Sequence, residues 1–164
     1  VLIAQGVMPD QASAQSHLPT IKASVDINVS SVMMFAEAFA SHMEDRNEGQ
    51  IAIIGSVAGD RGRRANYLYG ASKALIATYA SGLAHRFAST GVSVTLIKPG
   101  PTSTAMTAEL VAQGRKLASP ERVARDIVNG ISAKKSVVYT PAIWRYIMLV
   151  IRLLPRAVFN RLNV

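Results

Sequence analysis

At 164 residues with 49% apolar content, the chain can bury one core of a globular α/β protein. It holds no cysteine, which excludes a disulfide framework, a thiolate metal site and a thiol nucleophile; no metal is expected, and a cytoplasmic location fits. Eighteen Lys+Arg against ten Asp+Glu give a net charge of +8, suited to an anionic membrane surface or a phosphorylated ligand; the few aromatics are not interleaved with basic residues, so nucleic acid is not an expected partner.

The chain opens on Val1-Leu2-Ile3-Ala4, which reads as a buried strand broken by Gly6. No charged region precedes that run and no small-residue cleavage site is evident, so no signal peptide is read. From Leu18 to about Met43, apolar residues including Ile21, Val25, Val29, Val32, Ala36 and Phe39 recur at spacings of three and four, which predicts one long helix. Asn28 sits inside that apolar pattern, and by itself reads as a solvent-facing or backbone-bonding side chain. Glu48-Gly49-Gln50 then turns into Ile51-Ala52-Ile53-Ile54, a short β-branched run of the kind buried on both faces of a parallel sheet.

Ser56 follows at that strand's carboxyl end, the edge where open α/β sheets hold their ligands. The loop from Asp60 to Asn66 carries Arg61, Arg63 and Arg64. It reads either as a solvated turn or as a set of guanidinium groups that would meet an anion, such as a substrate phosphate, at the mouth of a site. Tyr69-Gly-Ala-Ser-Lys73 starts a second helix, running through Phe87 and closed by Gly91. Residues four apart share a helix face, so Tyr69 and Lys73 can point into one space. A phenol with a pKa near ~10 is a poor acid–base group at neutral pH, and an ammonium one turn away favours its phenolate. A serine hydroxyl beside them can donate to a carbonyl oxygen as charge develops. The trio suits proton transfer to or from a carbonyl or an alcohol.

Val92 to Lys98 is the next buried strand, and Pro99-Gly100-Pro101-Thr102-Ser103-Thr104 is a turn at its carboxyl end. Met106 to Gln113 reads as a short helix, Ser119-Pro120-Glu121 as a capped helix start, and Ser136 to Tyr139 as a last strand. The tail begins at Pro141. Ala142 to Leu154 is very apolar, but with two arginines it is too short and too charged to span a bilayer. Arg145, Arg152 and Arg156 are expected on one helical face, opposite Ile143, Met148 and Ile151. Two readings stand: a basic amphipathic segment at a membrane surface, or a helix completing the core or an oligomer interface.

The block Gly55-Ser-Val-Ala-Gly59 followed by Tyr69-Gly-Ala-Ser-Lys73 resembles the catalytic block of the short-chain dehydrogenase/reductase family. The resemblance implies an incomplete Rossmann-type parallel sheet with flanking helices. It implies Ser56 as the donor that orients a carbonyl, Tyr69 as the acid–base residue, and Lys73 as the residue that tunes Tyr69 and holds a cofactor ribose. Asn28 matches the family residue that kinks the helix and holds a proton-relay water to the lysine. Pro99 and Gly100 match the turn bordering a nicotinamide, with Thr102 and Thr104 on its carboxamide and ribose side. The cofactor implied is NAD or NADP, and the helix after Lys73 implies a homo-oligomer.

The segments Gly6 to Gln11, Gly55 to Arg64 and Pro141 to Phe159 are similar to a branch of the family containing reductases of lipid-linked keto-sugars, as used in cell-envelope polysaccharides. Nothing in the chain resembles the family's Gly-rich pyrophosphate turn, so residues 1–164 are expected to be the C-terminal portion of one Rossmann domain, weak in dinucleotide binding by itself. Within it lie a catalytic block, 51–73, a substrate-covering segment, 101–118, and a basic apolar tail, 141–164. The activity expected is NAD(P)-dependent reduction of a keto-sugar or other carbonyl. The alternative is a scaffold or membrane-associated partner of the same fold without cofactor binding.

Overall fold

The computed structural model describes residues 1–162, so the last two residues of the tail segment, 163 and 164, lie outside the described residues. Four strands, β1 (Leu2–Ile3), β2 (Gly49–Ile54), β3 (Val92–Pro99) and β4 (Val137–Thr140), form one sheet in the order β1-β2-β3-β4, every pair parallel. Parallel neighbours need crossovers, and the intervening helices supply them. The apolar runs have a two-sided reason. Ile51 and Ile53 of β2, with Val92, Val94 and Leu96 of β3, face one hydrophobic layer; Ala52, Ile54 and Ile97 face the other. A strand covered on both sides must be apolar at successive positions, which is what made β2 and β3 legible.

The crossover from β1 to β2 differs from the single helix predicted. α1 (Gln11–Ser16) comes first, started by Asp10, whose Oδ2 accepts the Ser13 N–H at 2.7 Å. α2 (Leu18–Val25) and α3 (Ser31–Arg46) are separated by a π-helical turn, Asp26–Ser30. There the Ser31 N–H donates to the Asp26 carbonyl, five residues back. The Ser31 hydroxyl takes the Ile27 carbonyl at 2.6 Å, the acceptor its N–H would use in an α-helix. Such single-turn bulges rotate the following residues and often sit at sites. This one turns Asn28 wholly inward.

α4 (Tyr67–Arg86) follows a 3₁₀ turn, Val57–Asp60, and packs beside α3 over the face of Ile51 and Ile53. It ends five residues before Gly91, so Gly91 does not close it. Gly91 instead lies against Asn47, the left-handed residue (φ 48°) that ends α3. A Cβ there would fall 2.0 Å from the Asn47 carbonyl oxygen, so the glycine serves a close approach. After β3 come a 3₁₀ turn, Ala105–Thr107, then α5 (Ala108–Ala112) and α6 (Pro120–Ser132), the last begun by Ser119, whose Oγ accepts the Arg122 N–H at 3.3 Å. Ile127 and Ile131 of α6 cover the second face of the sheet.

α7 (Ile143–Leu153) and α8 (Arg156–Phe159) form the tail. Its faces differ from the expected ones. Met148 is fully buried and Ile151 half-buried, whereas Ile143 stands exposed with Tyr146, Leu149, Val150 and Leu153. The arginines therefore flank an exposed apolar face rather than oppose it. Among the described residues, no helix is long and apolar enough to cross a membrane.

Candidate active site

Ser56 leaves β2 at its carboxyl end and caps the 3₁₀ turn that follows. Its Oγ accepts the Ala58 N–H at 3.1 Å, which leaves the hydroxyl proton available to donate. The turn lies directly on α4. A Cβ on Gly59 would fall 2.7 Å from the Lys73 carbonyl carbon and 2.8 Å from the Ala74 nitrogen, so only glycine admits this contact. The approach brings Ser56 to Tyr69: burial pushes the Tyr69 phenol above its ordinary 10.0, and a hydrogen bond with Ser56 partly opposes the rise.

Lys73 is 3% exposed and reaches back to the end of β2, where Nζ donates to the Ile54 carbonyl at 2.9 Å. Nζ sits 5.7 Å from the centre of the Tyr69 ring. Burial lowers it from 10.5 to about 8. Burial raises the Tyr69 phenol, whereas the sequence reading expected the nearby ammonium to favour the phenolate.

Asn28 clamps the wall above Lys73. Its Oδ1 accepts the Val7 N–H at 2.7 Å, and its Nδ2 donates to the Val7 carbonyl at 2.8 Å and to Ser72 Oγ at 3.2 Å. The loop so held runs over the ammonium: a Cβ on Gly6 would lie 3.2 Å from Lys73 Nζ and 3.3 Å from Asn28 Oδ1. Asn28, Ser56, Tyr69 and Lys73 are thus brought together from three segments, the π turn, the end of β2 and the first turns of α4. The Pro99–Thr104 turn leaves β3 at the same edge of the sheet. Gly100 is buried under the Trp144 indole, whose Nε1 would stand 2.0 Å from an added Cβ, and its N–H donates to the Thr140 carbonyl at 2.9 Å. The Thr102 hydroxyl donates to the Gly100 carbonyl at 3.0 Å, and exposed Thr104 makes a reciprocal capping pair with Thr107.

The arginine loop is not one cluster at a mouth. Arg61 is turned to the tail: its Nη1 donates to the Ile151 carbonyl, to Leu154 O at 2.7 Å and to Arg152 O at 3.4 Å, and its guanidinium stacks 3.8 Å from the Phe159 ring. It caps α7 and is not presented to an anion. Arg63 Nη2 donates to Met148 Sδ at 3.4 Å, while its Nε is buried without a hydrogen-bond partner. Burial lowers the Arg63 pKa, and the charge of Asp60 opposes that. Arg64 is exposed on the same loop. Behind the loop, Asp60 pairs with Lys98 at 2.5 Å and accepts the Tyr139 hydroxyl at 2.9 Å, tying the turn to β3 and β4.

Sequence reasoning passed over Gln11, whose Oε1 accepts the Leu68 N–H at 3.0 Å and so caps the first turn of α4. It also passed over Ser72 and Trp144. Ser72, beside Lys73 on α4, could have been found from the burial of that helix face; Gln11 carries no local signal.

An open parallel sheet with polar side chains gathered at its carboxyl edge is where Rossmann-type domains hold their ligands. The short chain dehydrogenase family profile matches residues 1–115. An uncharacterized oxidoreductase of Mycobacterium tuberculosis is 34% identical over 161 residues, covering 98% of this chain and 64% of that protein. One of Streptomyces coelicolor is 30% identical over 164 residues, covering 100% and 64%. Among solved structures, a short chain dehydrogenase from Burkholderia cenocepacia in complex with NADP superposes with a TM-score of 0.83 at 19% identity, over 100% of this chain and 69% of that one. A short chain dehydrogenase/reductase family protein gives 0.74 at 26% identity, over 84% and 64%. The chain belongs to the short-chain dehydrogenase family, and it spans about two thirds of the length of these relatives, 64% of each.

That family implies a nicotinamide dinucleotide, and Lys73 offers a test of fit. An ammonium carries three donors. Among the described residues Nζ has one hydrogen-bond acceptor, Ile54, so two buried donors remain beside Tyr69 for a diol such as a ribose. Lys73 fits the ribose of that group.

Proposed function

We propose that the protein is an NAD(P)-dependent reductase of a carbonyl compound, most readily a keto-sugar, working with Ser56, Tyr69 and Lys73. The observation that carries the reading is the buried Lys73 ammonium with donors to spare, one helical turn from a protonated Tyr69 and beside Ser56. Lys73 would hold the cofactor's ribose, and Pro99, Gly100, Thr102 and Thr104 would border its nicotinamide. When bound, the cofactor supplies a hydride to the carbonyl carbon. Ser56, its lone pair occupied by Ala58, donates its proton in a hydrogen bond to the carbonyl oxygen. Tyr69 transfers its phenolic proton to that oxygen as it becomes an alcohol. Lys73, lowered to about 8 by burial, would restore the proton near neutral pH, with Asn28 and a water chain as the relay.

In this reading residues 101–118 cover the substrate, over a cavity of about 350 Å³ lined by Pro101, Leu110, Lys116, Leu117, Pro141 and Trp144. Arg63 and Arg64 remain as contacts for an anionic substrate group. A homo-oligomer belongs to the same reading, supported by the exposed Met34, Phe35, Phe39 and Leu75 of α3 and α4. So does peripheral membrane contact through the tail.

The test is turnover of keto-sugars by the full-length protein with NADH or NADPH, followed by loss of nicotinamide absorbance, beside Tyr69→Phe. The variant is expected to lower kcat at least about 100-fold, the usual worth of a positioned acid, with unchanged thermal stability. Absence of cofactor binding by the full-length protein would leave a scaffold of the same fold.

A further inference from the structure

α7 uses only one of its faces to hold itself on the protein. Met148 is buried, Trp144 lies on Gly100, and Arg61 fastens the helix at its C-terminal carbonyls. On the opposite side Ile143, Tyr146, Leu149, Val150 and Leu153 are 57, 64, 54, 59 and 74% exposed. At 3.6 residues per turn these five fall within one arc of about 120°. Contiguous apolar surface of this kind marks a contact site.

The charges beside the strip say what would cover it. Residues 141–162 hold four arginines and no acid. Arg145 and Arg152 run side by side along one edge of the arc, and a cavity of about 390 Å³ opens between them, lined also by Tyr139, Tyr146 and Leu149. The carboxylate behind this cavity is already neutralised: Asp60 pairs with Lys98 at 2.5 Å, with side chains 3% and 12% exposed respectively, and accepts the Tyr139 hydroxyl. Among the described residues neither guanidinium has a carboxylate partner.

We propose that this face is a peripheral docking surface for an anionic phospholipid bilayer, with the apolar strip at the boundary of headgroups and acyl chains and Arg145 and Arg152 on lipid phosphates. The inference deepens the membrane contact of the reading above and does not depend on the reductase chemistry. α7 has eleven residues, about 16 Å at 1.5 Å each, against a hydrocarbon core of about 30 Å, so it lies in the interface and does not cross. A second copy is a poorer occupant. An antiparallel two-fold contact through the strip would set Arg145 and Arg152 beside the same pair of the other copy, with no acid to separate them. The helix is already folded and fastened, so docking requires no ordering of the tail.

The test is co-sedimentation of the full-length protein with vesicles of phosphatidylglycerol and phosphatidylcholine in equal parts, against phosphatidylcholine alone, with analytical ultracentrifugation of the same samples without lipid. Binding is expected on the anionic vesicles and to weaken with salt. Each basic residue near an anionic surface contributes about a fivefold factor, so Arg145→Gln with Arg152→Gln should weaken partitioning roughly 30-fold. Leu149→Asn with Leu153→Asn should weaken it by more than about tenfold. Both pairs lie on the surface, and circular dichroism checks that they fold. No binding to anionic vesicles, or binding indifferent to both pairs, would overturn the proposal. So would a loss of oligomer mass in the leucine pair with vesicle binding unchanged, which would give the face to a second copy. Cofactor-linked turnover measured without vesicles reads the reductase separately.

Discussion

Lys73 is an ammonium only 3% exposed, and its titration has a sign. In the folded chain it releases its proton near pH 8, in the unfolded chain near the ordinary 10.5. Below pH 8 both states are protonated, and the folded state carries the whole cost of a buried ammonium. Between pH 8 and 10.5 the unfolded chain binds a proton that the folded chain has released, so this residue makes stability rise with pH. Lys73→Met removes that dependence. The melting temperature of the variant is expected to exceed that of the natural protein by most below pH 8, with the gap closing towards pH 10.5. A gap constant across the window would mean that Lys73 stays charged throughout. Tyr69 shifts the other way, and the two shifts together leave a protonated acid beside a base that titrates near neutrality.

At the scale of elements, the site depends on how closely the 3₁₀ turn after Ser56 lies on α4. Gly59→Ala would drive a methyl into the Lys73 and Ala74 backbone, which cannot move aside as a flexible side chain would. Overpacking of this kind costs about 1–3 kcal/mol; denaturant unfolding should show that loss, and turnover should fall with Ser56 and Tyr69 intact. Much of this scale was legible beforehand. β2 and β3 announced themselves because both faces are covered, and Ser119-Pro120 announced α6 through its cap. The Ser56, Tyr69 and Lys73 arrangement was legible because a strand end and an i,i+4 pair are local patterns. The π turn left no mark in the apolar spacing, which continues unbroken through Asn28; only the family resemblance implied a kink there. The clamps of Asn28 on Val7 and Gln11 on Leu68 were not legible, since they join side chains to backbone across 21 and 57 residues and leave no trace in nearby letters. The exposed side of α7 escaped for a related reason: which apolar face of a two-faced helix is buried depends on Gly100 and the core that receives it.

For the molecule as a whole, the parallel strands keep their chain order across the sheet, so the elements that carry Ser56 and the Pro99–Thr104 turn end at one edge. The tail is bound to that edge by Arg61, which joins the loop after Ser56 to carbonyls about ninety residues further on. Hydrogen bonds to a charged group contribute about 1.5–3 kcal/mol each when buried, and this guanidinium is half-buried. Arg61→Ala is expected to loosen α7 without unfolding the sheet. Trypsin should then cut faster after Arg152 and Arg156 while the core keeps its melting temperature within a few degrees. Equal cutting rates in the two proteins would mean that Met148 and Trp144 hold the tail by themselves.

The same fastening has a genetic reading. A stop codon falling between those for Lys135 and Trp144 would leave all of Asn28, Ser56, Tyr69 and Lys73 translated, yet it would remove the carbonyls that Arg61 holds and the indole that covers Gly100. On the proposed function such an allele should lose turnover, although none of those four codons is altered. Suppressors of it should arise in the loop after Ser56, where the unmatched guanidinium is left without its partners.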